Sequence, residues 1–592
     1  MVIPNLTLVG NFLEAVEKHP RERRFLVKRN RKYQAVSTET FRRDVVTAAL
    51  GLQQVGVRRG DKVVILADTC YEWLVSDLAI LSLGAIVVPI YPTLPADQVL
   101  YIAEDSDSKV LFFSSKAQWE KVKSIKEQMK NVKLFVSLLD PPPSENALSL
   151  KGLQEIGKGL SEDDYVDMVS TLDRQDEATI IYTSGTTGIP KGVVLTHANV
   201  FANVFVLCEI MDVSERDVCF SFLPLSHILE RTVVHGYLRK GSTIAFAESI
   251  EKVNQNMIDV KPTVMVSVPR LFERVYSRIM EKALSGSQTK KSLFLWSLSV
   301  AEKKLHLEMA RKKLPYSLRF KYGLADRLVF KKVKENLGGR FRFFISGGAA
   351  LPKKIAEFFY EMGLPVLEGY GLTESSPVVA VNTFQDFKVG TVGKPIPGEE
   401  VVIAEDGEIL VKGPNVMKGY YKKPEETAEA FNKEGWFLTG DIGFIDNEGF
   451  LSITDRKKAI IVTLGGKNVA PQPIEGRIKQ SPYVGNVVLI GNERKYLSAL
   501  LVPDFEKMEE IGKILNKSFH GRADFCSDSS VERFYLREIK KMVPDLADFE
   551  VIKKVALLEE DFSIEKGEIT PTLKVKRSFV EKKYKKVIDR LY

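Results

Sequence analysis

The sequence predicts an α/β protein: a large N-terminal domain of doubly covered, largely parallel sheets, a small β-rich subdomain, and a smaller α+β domain at the C-terminal end. Three observations carry this. Helix-spaced and strand-like apolar segments alternate through residues 1–170 and again from 218, the βαβ rhythm that builds parallel sheets covered on both faces. From about residue 390 the texture changes to short strands and turns. Beyond 457 a Lys/Glu-rich α+β pattern follows. At 592 residues the chain is too long for one core.

Each element has its own signal. Residues 40–55 have helical spacing, 62–66 (Lys-Val-Val-Ile-Leu) read as a buried strand, 73–83 as a helix, and 85–90 and 109–113 as strands. Pro141-Pro142-Pro143-Ser144 marks a surface loop. Residues 178–182 and 192–195 are apolar strands flanking one polar turn. Strand, helix and strand follow at 243–246, 250–259 and 263–267. Residues 281–340 break the rhythm with a helical stretch holding 15 Lys/Arg against five Asp/Glu. Strand character returns at 341–346, ahead of Gly347-Gly348-Ala349-Ala350, and short strands lie at 407–411 and 450–454.

Composition excludes several classes. A hydrophobic share of 44% and a charged share of 27% are those of an ordinary globular protein. A net charge of +8 over this length, without basic–aromatic interleaving, gives no ground for nucleic acid as a partner. The scattered Cys70, Cys208, Cys219 and Cys526 form no Cys-x-x-Cys, which excludes a zinc ribbon and speaks for a reducing compartment. Residues 1–20 lack an apolar core of signal-peptide type, and the longest apolar run, 78–90, is too short to span a bilayer. The expectation is a cytoplasmic protein, with peripheral contact at the inner face of the membrane left open.

The most informative stretch is Tyr182-Thr183-Ser184-Gly185-Thr186-Thr187-Gly188-Ile189-Pro190-Lys191-Gly192, which holds four aliphatic hydroxyls, three glycines and one lysine. Glycines let backbone N–H groups converge on anionic oxygens, and hydroxyls and a cation add charge-assisted contacts, so the turn suits a polyphosphate. Its strand–turn–strand setting and the missing Gly-Lys-Ser/Thr ending set it apart from a Walker loop. Four more motifs follow: Glu368-Gly369-Tyr370-Gly371-Leu372-Thr373-Glu374-Ser375, Thr439-Gly440-Asp441-Ile442-Gly443, Asp455-Arg456-Lys457-Lys458, and Pro571-Thr572-Leu573-Lys574-Val575-Lys576-Arg577. In this order and spacing they resemble the motifs of the adenylate-forming superfamily, which includes acyl-CoA synthetases, peptide-synthetase adenylation domains and firefly luciferase.

The resemblance implies roles. Ser184, Gly185, Thr186, Thr187, Gly188 and Lys191 would hold the β- and γ-phosphates of ATP. Thr183 and Glu374 would position Mg²⁺. Tyr370, with Gly369, Gly371 and Thr373 around it, would face adenine across from Gly347, Gly348 and Ala349. Asp441 and Arg456 would bind the ribose, His227 would belong to the acyl pocket, and Lys574 would serve the first half-reaction. It also implies a mobile C-terminal domain, with residues 1–455 and 456–592 divided at a hinge, Lys458 as its pivot, and Gly465 and Gly466 on the face turned to coenzyme A. His227 and Glu374 also have ordinary structural readings, as a satisfied histidine and a helix-cap acid.

The basic stretch 281–340, Val268-Pro269-Arg270-Leu271-Phe272-Glu273-Arg274 and Thr570-Pro571-Thr572-Leu573-Lys574 resemble long-chain fatty acyl-CoA synthetases. The implied reaction activates a fatty acid with ATP and passes the acyl group to coenzyme A. Loading of an acyl carrier protein and a non-catalytic lipid- or nucleotide-binding role remain as alternatives. Residues 281–340 are read either as a solvated helical face or as a surface approaching anionic membrane. Both monomer and homodimer stay open.

Overall fold

The computed structural model describes residues 3–592 apart from 146, 184–189, 311 and 571–573. It divides into two compact units: Met1–Val402, Leu410–Leu438 and Asn447–Leu451 form the first, and Ile403–Ile409, Thr439–Asp446 and Ser452–Tyr592 the second.

The first unit holds two large sheets. One runs, strand by strand, Gly419–Tyr420, Lys191–Thr196, Glu177–Thr183, Ile86–Ile90, Lys62–Leu66, Val110–Phe113, Leu134–Ser137 and Leu148–Ser149. From Glu177–Thr183 onward its neighbours are parallel. Residues 63–66 of strand Lys62–Leu66 read as unbroken apolar sequence because both faces are covered: Val63 and Ile65 point into one core, Val64 and Leu66 into another.

The second sheet runs Lys394–Pro395, Val378–Val381, Val366–Gly371, Phe343–Ser346, Val264–Ser267, Val218–Ser221, Thr243–Phe246, Phe25–Arg29 and Lys32–Val36. Its middle is parallel. The chain steps from Val218–Ser221 to Thr243–Phe246 on one side and then back to Val264–Ser267 on the other. That reversal is a topological switch point, and α/β sheets bind ligands at the strands' carboxyl ends beside such points. A single core takes in Val63 of the first sheet, Phe220 and Ile244 of the second, and Leu74, Phe201 and Val234 from helices Tyr71–Ser82, His197–Ile210 and Ile228–Arg239.

One buried ion pair ties these helices together. Asp77 accepts two hydrogen bonds from Arg231, from Nε at 3.0 Å and Nη2 at 2.6 Å, with both side chains fully enclosed. His235 Nε2 lies 3.5 Å from Asp77, and the Arg231 guanidinium is 5.9 Å from the Trp73 ring. Burial alone would raise the Asp77 pKa; the charge of Arg231 and the His235 contact outweigh it and hold the carboxyl below its usual range.

The helical break is present as Pro269–Leu284, Gln288–Met309 and a run from Tyr316 through a π-helical turn to Asn336. The β-rich texture corresponds to a four-stranded sheet in the order Glu400–Ile403, Glu408–Lys412, Phe437–Ile445 and Leu451–Arg456. The second unit also has the sheet Val484–Ile490, Leu497–Pro503 and Ile552–Leu557, whose faces alternate Val487 and Leu489 into one core, Val488 and Ile490 into another. Among the described residues no helix is long and apolar enough to cross a membrane.

Candidate active site

The polar turn is carried by an antiparallel strand pair in which Tyr182 faces Gly192 and Thr183 faces Lys191. Gly192 is needed for close approach: a Cβ there would lie 2.7 Å from Ile180 Cγ2 and 3.1 Å from the Tyr182 ring. Ser184, Gly185, Thr186, Thr187 and Gly188 lie outside the described residues.

Tyr420 joins what the sequence separates. Its strand pairs with Lys191–Thr196, placing Tyr420 opposite Val193. The Lys191 ammonium sits 5.2 Å from the Tyr420 ring centroid, and the Tyr420 hydroxyl donates to Glu374 Oε1 at 3.1 Å. Met417 N donates to the Glu374 carbonyl at 2.8 Å. The segment around Glu374 is pinned from below by the fully buried Asn203, whose amide donates to the carbonyls of Ser375 and Val378 and accepts from Val378 N. Thr183, Lys191 and Glu374 are thereby gathered at one end of the first sheet.

The glycine segments meet at the carboxyl edge of the second sheet. Ser346 pairs with Glu368 in parallel register, so Gly347, Gly348 and Ala349 leave one strand beside Gly369, Tyr370 and Gly371 on the next. Gly371 has no room for a side chain: a Cβ would fall 1.7 Å from the Pro377 carbonyl oxygen. Gly348 has φ +83°, a left-handed conformation that costs other residues energy. Burial raises the Glu368 carboxyl to about 7, against the backbone N–H groups of Leu351 and Gly390 that lower it. Tyr370 is buried, and Thr373 opens the short turn Thr373–Ser375.

His227 caps the helix Ile228–Arg239, its Nδ1 accepting from Leu229 N at 3.1 Å. That bond assigns the proton of the neutral ring to Nε2. Its ring lies edge-on to Tyr91 at 6.4 Å. The next turn packs on the glycine segment, since a Cβ at Gly347 would stand 3.0 Å from Leu229 Cδ2. Among the ties on this helix are the Asp77–Arg231 pair and Ser221 Oγ donating at 2.5 Å to Glu230, whose carboxyl burial pushes up to about 8.

In the second unit Asp441 is buried and accepts from Arg456 Nε at 2.9 Å. Gly440 N donates to Glu408 at 2.8 Å, and Lys457 bridges Glu408 and Asp406 at 2.8 and 2.5 Å. Lys458 lies in the short turn Lys457–Ala459. Gly465 and Gly466 form the turn between Ile461–Val462 and Asn468–Val469, and Gly466 takes φ +70° where a Cβ would meet nothing. Lys574 is tied twice to Thr570: its N donates to Thr570 Oγ1 at 3.0 Å and its carbonyl accepts from Thr570 N at 2.8 Å. The Lys574 pKa is drawn down, by loss of some hydration first and the Arg456 charge second, against Asp441, which raises it; because the residue is exposed, water screens much of that lowering.

A family model described as AMP-binding enzyme matches residues 12–421, and one described as AMP-binding enzyme C-terminal domain matches 458–592. The chain belongs to the AMP-binding enzyme family. The chain is 37% identical over 92% of its length to the long-chain-fatty-acid–CoA ligase FadD15 of Mycobacterium bovis, 90% of which is covered. It is 30% identical over 99% of its length to the human long-chain-fatty-acid–CoA ligase ACSBG2, 92% of which is covered. The fold matches that of ATP-bound MatB from Rhodopseudomonas palustris, with a TM-score of 0.71 at 24% identity, covering 98% of this chain and all of that one. It also matches the A domain of a carboxylic acid reductase from Segniliparus rugosus, with a TM-score of 0.77 at 20% identity, covering 99% and 94%.

In this AMP-binding enzyme, Tyr420, Asn203 and the acidic partners of Lys457, Glu408 and Asp406, escaped the sequence reading. Only Tyr420 had a local signal, in the run Gly419-Tyr420-Tyr421-Lys422-Lys423. The others act through contacts made by folding.

Proposed function

We propose that the chain activates a long-chain fatty acid with ATP, forming acyl-AMP and pyrophosphate, and transfers the acyl group to coenzyme A, releasing AMP. The observation that carries this is Tyr420 linking Lys191 to Glu374, in a chain 37% identical to a long-chain-fatty-acid–CoA ligase over 92% of its length.

The first obstacle is electrostatic. A carboxylate approaching an α-phosphate at ~4 Å meets roughly 4 kcal/mol of repulsion per unit charge at an effective dielectric of about 20. Fixed donors and cations offset this without moving during reaction. The turn residues Ser184, Gly185, Thr186, Thr187 and Gly188, with Lys191, hold the β- and γ-phosphates. Tyr370, Gly369, Gly371 and Thr373 face adenine, with Gly347, Gly348 and Ala349 opposite. Asp441 and Arg456 take the ribose. His227 borders the acyl chain. Lys574 stabilises the carboxylate oxygen as it attacks the α-phosphorus and the bond to pyrophosphate breaks. The coenzyme A sulfur then attacks the acyl carbon, and the acyl–oxygen bond to AMP breaks.

One hydroxyl and one carboxylate, Thr183 and Glu374, fit Mg²⁺, which takes few protein ligands and completes its shell with phosphates and water. Among the described residues no larger acidic, histidine or cysteine cluster competes for a metal. When bound, the ion neutralises phosphate charge. The proposed division is 1–455 and 456–592, with rotation about Lys458 bringing Gly465 and Gly466 toward the thiol. The proposal extends to a cytoplasmic enzyme in peripheral contact with anionic membrane through 281–340.

Incubation with ATP and acids of graded chain length, with and without coenzyme A, yields AMP and pyrophosphate; recovery of ADP ends the adenylation reading. The positioning role of Tyr420 is tested separately. Tyr420→Phe keeps the ring beside Lys191 but deletes the donor to Glu374. Pyrophosphate release falls about fivefold, the worth of one ~1 kcal/mol hydrogen bond. Unchanged release removes the role.

A further inference from the structure

The helix beginning at Tyr316 has two apolar stripes, and among the described residues only one has a partner. Its inner side is accounted for: Ala325 and Phe330 are fully buried, and Tyr322 donates to the Glu361 carbonyl at 3.1 Å with the Lys304 ammonium 4.7 Å from its ring. A second stripe faces out. Tyr316, Phe320, Leu324 and Leu328, four residues apart, expose 88%, 76%, 41% and 50% of their surface. A lone exposed apolar side chain is ordinary, but four large ones in register on one helix are a patch that marks an interaction site.

The charge around it selects the partner. Residues 312–332 hold seven Lys/Arg and one acid, Asp326. Arg319, Lys321, Arg327 and Lys331 are exposed, and Asp326 is already paired with Lys334 at 2.7 Å. Apolar side chains flanked by cations match an interface whose surface is anionic and whose interior is hydrocarbon. A second copy of this face is disfavoured, because two cationic rims would be apposed.

We propose that the Tyr316–Leu328 ridge inserts into the headgroup region of an anionic bilayer, with the neighbouring lysines and arginines on lipid phosphates. This narrows the basic stretch 281–340 from a diffuse attraction to a specific insertion. It stands on this helix alone, so it can fail while the ligase reading holds, and the reverse.

The test is sedimentation of the full-length protein with phosphatidylglycerol-rich or pure phosphatidylcholine vesicles, without substrate. The protein partitions at least about tenfold more strongly onto the anionic vesicles, since each basic residue near the surface contributes roughly fivefold. Phe320→Ser/Leu324→Ser weakens that partition by at least about tenfold, a fraction of what full burial of two such side chains would contribute. Arg319→Gln/Lys321→Gln/Arg327→Gln removes the preference for anionic lipid. Tyr316→Ser, at the most exposed position, is a milder second variant. All these positions are exposed, so melting temperature and activity on a water-soluble acid stay unchanged. Equal binding to both vesicles overturns the proposal, as does a ridge variant that binds like the parent. So does a ridge whose loss abolishes self-association while vesicle binding is absent, which assigns the face to a second copy.

Discussion

Replacing Lys574 by alanine slows acyl-adenylate formation by about 10²–10³-fold, while thioester formation from supplied acyl-adenylate stays near the parent rate. Lys574 is close enough to the Asp441–Arg456 pair for both to bear on its charge, Arg456 against the ammonium and Asp441 for it. In the proposed scheme that pair holds the ribose and the ammonium acts beside the nucleotide. Its charge is needed only while a carboxylate nears phosphate; once the mixed anhydride exists, that repulsion is gone. Pyrophosphate release in single turnovers and acyl-CoA formation from synthetic acyl-adenylate separate the steps. Equal loss in both would refute the division. Lys574→Arg keeps the charge and recovers part of the first step alone.

Asp77→Ala destabilises the first unit by about 3–5 kcal/mol, because it strands the fully enclosed Arg231 without its carboxylate. The informative control is Asp77→Leu/Arg231→Met, which removes both charges and returns most of the loss. Thermal melts read the difference; a loss below about 1 kcal/mol for Asp77→Ala would mean the pair is not as enclosed as described. Acid has the same effect as the mutation. The folded-state pKa of Asp77 is depressed. Its contribution is therefore complete above the ordinary carboxylate range and disappears as pH falls through the folded value. Arg231 sits on the helix capped by His227, and Leu229 of that helix packs at Gly347; if His227 borders the acyl chain as proposed, loosening the pair raises KM for the acid before the fold is lost.

Much of the parallel core was legible because strands buried on both faces print as unbroken apolar runs, as at 63–66 and 264–266. The hairpin Phe25–Arg29 to Lys32–Val36 was not. Its turn uses Asn30 and Arg31 at φ 51° and 65°, without the glycine that usually announces such a turn. The Asp77–Arg231 pair was hidden for another reason. Its partners are 154 residues apart, and Asp77, the second acid after Glu72 in the largely apolar helix Tyr71–Ser82, carries no periodic signal. Motif residues could be found by order and spacing, whereas Tyr420 stands 46 residues from Glu374 and joins it only after the strand Gly419–Tyr420 docks beside Lys191–Thr196.

The carbonyl of Pro377 occupies the volume that any side chain at position 371 would need. A saturation library at that site, sorted for soluble expression alone and never offered a nucleotide, would come back as glycine. Invariance there reports steric exclusion by the chain itself and says nothing about purine recognition. Variants meant to change base preference belong elsewhere on the rim.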